Sequence, residues 1–439
     1  TFDVPLEDDS LIWVERRGAR FIRLELPPPG QSIVVGSDAP APEPGSPPTV
    51  AEVTARARPT GNKVVLIGID GATFSIIDPL IQEGRLPTFR RLLDQGAHGL
   101  LQSERPIISP AIWTTIATGR SRSVHGIDDF THTGWTWLPG SKTLVRSTDR
   151  RVSALWNWPG LFGRTVGFQG WWASWPAENV NGWIVSDRLP RSRWSEWTDD
   201  RPGNAVTYPG ALVDHLNELI VDPLHPPMDE IDGLVSLTPE EREELLAADR
   251  PVFGHALSVF KFGYCAQRTY EEISLSLLDR GQPDLMGVFL IANDAISHVF
   301  WEFFEPEAFD GVDPERARRL GALIPAIYEH NDRYLARLLS RLDPETVVIV
   351  VSDHGFQASG VRPRELWWVE RLFRPFSSAG VDGEQVAVGQ SGKHHLDGMF
   401  IAHGPPIRAG VEAHPLLVDI APTVLALMGL PVPDDLEGR

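Results

Sequence analysis

The chain has 439 residues, of which 42% are hydrophobic, and a formal charge of −19. This length and apolar content suit one large α/β domain with insertions, or two domains, and exclude wholesale disorder. The acidic balance argues against a nucleic-acid-binding surface or a basic face for anionic membranes, and the single cysteine, Cys265, excludes an intrachain disulfide and a thiolate metal cluster.

No run of about 18 apolar residues marks a membrane span. Compartment and oligomeric state stay open, with exported, periplasmic and cytoplasmic locations all compatible with these numbers.

In chain order, SLIWVERR and RFIRLEL form a candidate hairpin, followed from about Leu26 to Pro59 by a Pro-, Gly- and Ser-rich linker. Residues 1–60 therefore read as an N-terminal extension, with the main domain starting near Gly61. KVVLIGI, Lys63 to Ile69, is an apolar run of the kind buried on both faces of a parallel sheet, and it ends at Asp70-Gly71. A helix is expected from Pro87.

Further along, SPAIWTTIATG reads as a helix with Ser109 at its N-cap, proline just inside and Gly119 at its end. Between about Trp135 and Asp284 the alternation fades, and ten of the 15 tryptophans fall in the first half of that stretch. Residues 135–284 therefore read as a Trp-rich cap inserted into a core formed by 61–134 and 285–439.

Asp284 to Ala292, Thr346 to Ser352 and Gly398 to Gly404 repeat the buried-strand pattern, and a long amphipathic helix is expected from about Arg318 to Leu342. Alternating buried strands and helices predict a three-layer α/β/α sandwich with a mostly parallel central sheet. Polar sites in such a fold gather beyond the carboxyl ends of the strands.

That is where carboxylates and imidazoles cluster. Asp70, Asp294 and Asp353 all follow strand ends; His298 stands four residues after Asp294, on one face of a helix, and His354 is adjacent to Asp353. With His394 these are six hard or borderline ligands, as two divalent cations sharing one site require. The carboxylate–histidine set suits zinc, and also manganese or iron. Ser109, at a helix N-terminus where unpaired amides favour an anion, is the candidate nucleophile.

The ordered blocks IGIDG, SPAIWTTIATGRSRSVHGI, NDAISH, VVSDHG, GKHHLDG and VDIAPTVLALMGLPVP resemble the alkaline phosphatase superfamily, specifically its type I phosphodiesterase/nucleotide pyrophosphatase branch. The resemblance implies that Asp70, Asp353 and His354 hold one metal, and Asp294, His298 and His394 the other. It also implies that the nucleophile lies ten residues before Gly119, at Ser109, where it would both attack phosphorus and contact metal. The pattern G-x-H-x-x-x-G selects His394, with His395 in reserve.

One position departs from the branch. Its usual asparagine, three residues after the nucleophile, is Ile112 here, which argues against nucleotide substrates while leaving the metal chemistry in place. A sulfatase reading fails because Pro110 directly follows Ser109 and Trp113 stands where that motif has arginine.

The chemistry implied is a binuclear metal-dependent phosphodiesterase, with zinc the family's preferred metal, acting on a small phosphate ester through a covalent phosphoseryl intermediate. Alternatives are a phosphomonoesterase, phosphotransferase or phosphonate hydrolase of the same superfamily, or an inactive binding module on the same fold. Arg120, Lys393 and His395 are candidate substrate contacts, and His125 is read as a loop-fixing residue rather than a ligand.

Overall fold

The computed structural model describes residues 60–133, 142–190, 205–252, 254–360 and 390–439, with Ala57 and four short strand segments. The Pro-rich linker lies outside these residues apart from Ala57, as do Trp135, Trp137, Trp194 and Trp197. The expected N-terminal hairpin forms, with Ser10–Val14 antiparallel to Phe21–Glu25.

The central sheet comprises strands β1 (Val64–Ile69), β2 (Ala97–Gln102), β3 (Val166–Gln169), β4 (Gly182–Val185), β5 (Thr207–Tyr208), β6 (Leu285–Leu290), β7 (Val347–Ser352), β8 (Asp397–His403) and β9 (Val411–Glu412). Their order is β9-β2-β8-β7-β1-β6-β3-β4-β5. The middle run β7-β1-β6-β3-β4 is parallel, whereas β8 runs antiparallel to both β7 and β2.

Every residue of β1, β6 and β7 is buried. Their side chains alternate between two separate cores: Val65, Ile67 and Ile69 join Met286, Val288 and Leu290 on one face, while Val64 and Leu66 join Leu285 and Phe289 on the other. A strand apolar at both parities is stable only with a layer on each face.

Helices α1 (Phe74–Gln82), α2 (Pro87–Gln95), α4 (Ala256–Asp279), α5 (Ala292–Phe304) and α6 (Leu323–Leu339) cover the first face. On the second lie α3 (Ser109–Thr118) and α7 (Ile420–Leu427). The expected long helix after Arg318 is instead two, Pro314–Leu320 and α6, interrupted around Gly321, a poor helix former.

The described part of 135–284 does not stand apart as a cap. It supplies β3, β4 and β5 to the sheet and α4 to one covering layer. Trp156 and Trp171 are buried in the second core, where Trp171 packs edge-on against Trp113 with ring centroids 5.2 Å apart. These strands are only two to four residues long, too short to leave the periodic signal that marks β1, β6 and β7 in the sequence.

Candidate metal centre

Because β1, β6 and β7 are parallel neighbours, their carboxyl ends lie along one edge. The chain leaves β1 at Asp70, enters α5 beyond β6 with Asp294 and His298 one turn apart, and leaves β7 at Asp353-His354. His394 arrives on a separate antiparallel strand pair, Gly355–Ala358 with Gly392–His395, in which it lies opposite Phe356.

The structure brings all six residues together. His354 Nε2 lies 3.3 Å from Asp70 Oδ1, 3.6 Å from Asp353 Oδ2 and 3.6 Å from Asp294 Oδ1. His298 Nε2 and His394 Nε2 each lie 3.3 Å from Asp294 Oδ1, and 2.9 Å from one another. Asp70, Asp353 and His354 are sealed from solvent, while Asp294 and His394 keep 18% of their side-chain surface, so the cluster opens on their side.

Two close approaches permit this convergence. A side chain on Gly71, at φ +72°, would meet the Phe356 ring at 2.5 Å, and one on Gly392 would meet the Ser297 carbonyl at 2.2 Å. Only glycine lets the loop after β1 and the strand carrying His394 press this closely on α5.

The donor set fits cations. Asp70 Oδ1, Asp294 Oδ1, both Asp353 oxygens and His354 Nε2 are buried and make no hydrogen bond among the described residues. Buried acceptors left this way are costly unless something positive lies between them. His298 Nδ1 faces the Gly392 carbonyl at 3.3 Å and His354 Nδ1 the Gly355 carbonyl at 3.1 Å. A carbonyl only accepts, so each Nδ1 carries a proton and Nε2 is the atom turned to the centre, where its lone pair becomes available to a cation that displaces any proton there, the usual arrangement of metal-binding histidines.

Electrostatics follow from this crowding. Burial, then the charge of Asp70, pushes the Asp353 carboxyl well above the ordinary range. Burial disfavours charge on His354, but Asp353, Asp70 and Asp294 outweigh it and raise the imidazole to about 10. Burial likewise opposes ionisation of Asp294, yet His298 and His394 hold it well below the ordinary range. His394 itself is lowered to about 3 by burial, then by His354.

Ser109 is buried and is the first residue of α3, with Ile108 rather than Ser109 as N-cap; Gly119 closes the helix at φ 64°. Trp113, one turn along α3, packs against Gly68, two residues before Asp70. Ile112 is wholly buried in the second core.

Arg120 is paired with Asp435. Lys393 and His395 flank His394 on its strand, so alternation turns their side chains to the other face. His395 Nδ1 there accepts the Asp397 N–H at 3.2 Å. His125, fully buried, accepts the Ile127 N–H at Nδ1 and lies 3.0 Å from the Thr115 hydroxyl, tying the loop after α3 to that helix.

Phe356 escaped sequence reasoning. Its ring packs against His298, His354 and His394 at centroid distances of 4.9, 5.4 and 5.2 Å, and stacks on Trp301 at 5.8 Å. It is an apolar wall shared by all three imidazoles. The only signal was its place after the Asp-His-Gly turn.

The model of the family "type I phosphodiesterase / nucleotide pyrophosphatase" matches residues 64–381, well over half the chain. The chain belongs to this family. Its members are phosphoric ester hydrolases, and the match contains every candidate ligand except His394, which lies beyond it.

Among solved structures, alkaline phosphatase PafA is similar over 86% of this chain and 98% of its own, with 12% identity and a TM-score of 0.51. That likeness places the chain in the alkaline phosphatase-like fold. Phosphonoacetate hydrolase from Sinorhizobium meliloti (85% and 98% covered, 13% identity, TM-score 0.45) and murine ectonucleotide pyrophosphatase / phosphodiesterase 5 (85% and 96%, 13%, 0.45) are more distant in shape. No curated protein matches the chain significantly in sequence.

Proposed function

We propose that this protein hydrolyses phosphoric diesters with Ser109 as nucleophile and two divalent cations, zinc by preference, at the six-residue centre. The observation that carries this reading is the convergence of buried atoms on Asp70, Asp294, Asp353 and His354 that make no hydrogen bond among the described residues. Asp70, Asp353 and His354 would hold one cation, and Asp294, His298 and His394 the other. When bound, such cations supply Lewis-acid stabilisation of phosphoryl oxygens and ease deprotonation of a nearby hydroxyl.

The chain's own part is to place and exchange groups. Ser109 Oγ gives up its proton and bonds phosphorus while the bond to the leaving ester oxygen breaks, and that oxygen leaves protonated. Water then cleaves the phosphoseryl bond, releasing the phosphoryl product and restoring the hydroxyl. The N-terminal amides of α3 lie beside Ser109 and favour the anionic phosphoryl group.

Charge favours diesters. Three aspartates and a Ser109 alkoxide balance two dications, a near-neutral centre suited to a monoanionic diester, whereas a dianionic monoester calls for further positive groups. The sequence-nominated Arg120 already serves Asp435, and Arg122 serves Glu104. Ile112, buried in the core, offers no side-chain amide to a phosphoryl oxygen, which speaks against nucleotide diesters rather than against diesters as a class.

The deciding experiment compares turnover of a chromogenic phosphodiester with the matching monoester and a phosphonate. A kcat/KM for the diester exceeding that for the monoester is expected; the reverse order overturns the diester reading, and no turnover of any overturns the catalytic one.

A further inference from the structure

Helix α5 carries Asp294 and His298, yet its own N-cap, Ile291, provides no side-chain cap. The missing acceptor comes from another helix. Gln267, on α4, accepts the Ala292 N–H through Oε1 at 2.9 Å. Its Nε2 donates to Glu271 Oε1 at 3.0 Å and to Asn331 Oδ1, on α6, at 2.7 Å; Asn331 Nδ2 in turn donates to Asn293 Oδ1 at 2.5 Å.

Gln267, Glu271 and Asn331 are fully buried, and Asn293 nearly so. The direction of the chain is determined. Glu271 accepts from Arg268 at 2.7 Å and from His330 at 2.8 Å, as a carboxylate does. A carboxylate only accepts, so the Gln267 amide must turn its NH2 toward Glu271, which leaves its oxygen facing Ala292. The first turn of α5, Ala292 and Asn293, is thus gripped from α4 and from α6 directly before the ligand Asp294.

We propose that Gln267 is a positioning residue for the cation centre: with Asn331 it fixes the first turn of α5 and, through it, the Asp294 carboxylate. The inference rests on the reading that Asp294, His298 and His394 hold a cation. Groups that support ligands from behind typically govern affinity by about 10- to 100-fold.

The test is Zn2+ affinity and stoichiometry by chelator competition on the full chain, with thermal unfolding recorded alongside. Gln267→Met keeps the volume and removes the cap, and should weaken one of the two Zn2+ equivalents by about 10- to 100-fold while sparing the other. Asn331→Ser breaks the chain one link farther out and should shift the same equivalent in the same direction, which keeps the test open if Gln267→Met does not fold.

Leu425→Ala, in the core on the opposite face of the sheet, should destabilise without changing affinity. Wild-type binding of two equivalents with unaltered affinity in both polar variants overturns the proposal. So does an equal loss of affinity in Leu425→Ala. A wild-type chain that binds no Zn2+ instead overturns the cation reading on which the inference rests.

Discussion

Asp70 Oδ1 and His354 Nε2 face each other across 3.3 Å, both buried, and neither completes a hydrogen bond among the described residues. Two potential ligand atoms held this way just beyond neighbouring strands of one sheet describe half of a coordination shell. About two divalent cations per purified chain are therefore expected by elemental analysis, and Asp353→Ala should remove about one. Cation affinity should rise with pH near neutrality, because His354, raised to about 10, holds a proton that a cation must displace. Isothermal titration in buffers of different ionisation enthalpy reads that proton release directly.

Ser109→Ala should lower kcat by about 10³-fold or more while leaving cation stoichiometry and unfolding temperature near wild type. Single-turnover trapping of a phosphoenzyme in the wild-type protein, absent from the variant, checks the same assignment. Full activity in Ser109→Ala would require another nucleophile.

Phe356→Ala removes the ring that three imidazoles share. A loss of about 3–5 kcal/mol in denaturant unfolding is expected from the cavity, together with weaker cation binding. Phe356→Leu should lose about 1 kcal/mol and retain most of the affinity.

Asp332, buried on α6, accepts the Thr88 and Phe89 N–H groups at 2.9 and 2.8 Å and so caps α2, whose own Leu86 cannot. Asp332→Ala strands both donors and should cost about 1–3 kcal/mol. The denaturation midpoint should fall with kcat unchanged, since α2 carries no group of the centre.

His125 stays neutral because burial, then the charge of Arg122, lowers it to about 3. A depressed folded value means its contribution is present above the unfolded value of about 6.5 and is lost as pH falls toward 3. Proton uptake on unfolding in that window should be lower by about one proton in His125→Asn, read from the pH dependence of unfolding free energy.

What the amino-acid order determined by itself is what repeats or punctuates along the chain. Uninterrupted apolar runs at β1, β6 and β7 announced strands buried on both faces, and the aspartate within four residues of each strand end marked the candidate site, since a parallel sheet aligns such ends wherever the strands fall. The four-residue spacing of Asp294 and His298 needed only a helix to become a shared face.

Tertiary structure alone decided the rest. Strands of two to four residues in the tryptophan-rich stretch carry too few alternations to be read, and only pairing with β6 drew them into the sheet. The spacing of Gly392 and Gly398 already favoured His394 over His395, but that its imidazole faces Asp294 depends on the register of one short strand pair. The roles of Phe356, Gln267 and Asp332 come from contacts between helices and loops distant in sequence, which local propensity does not encode.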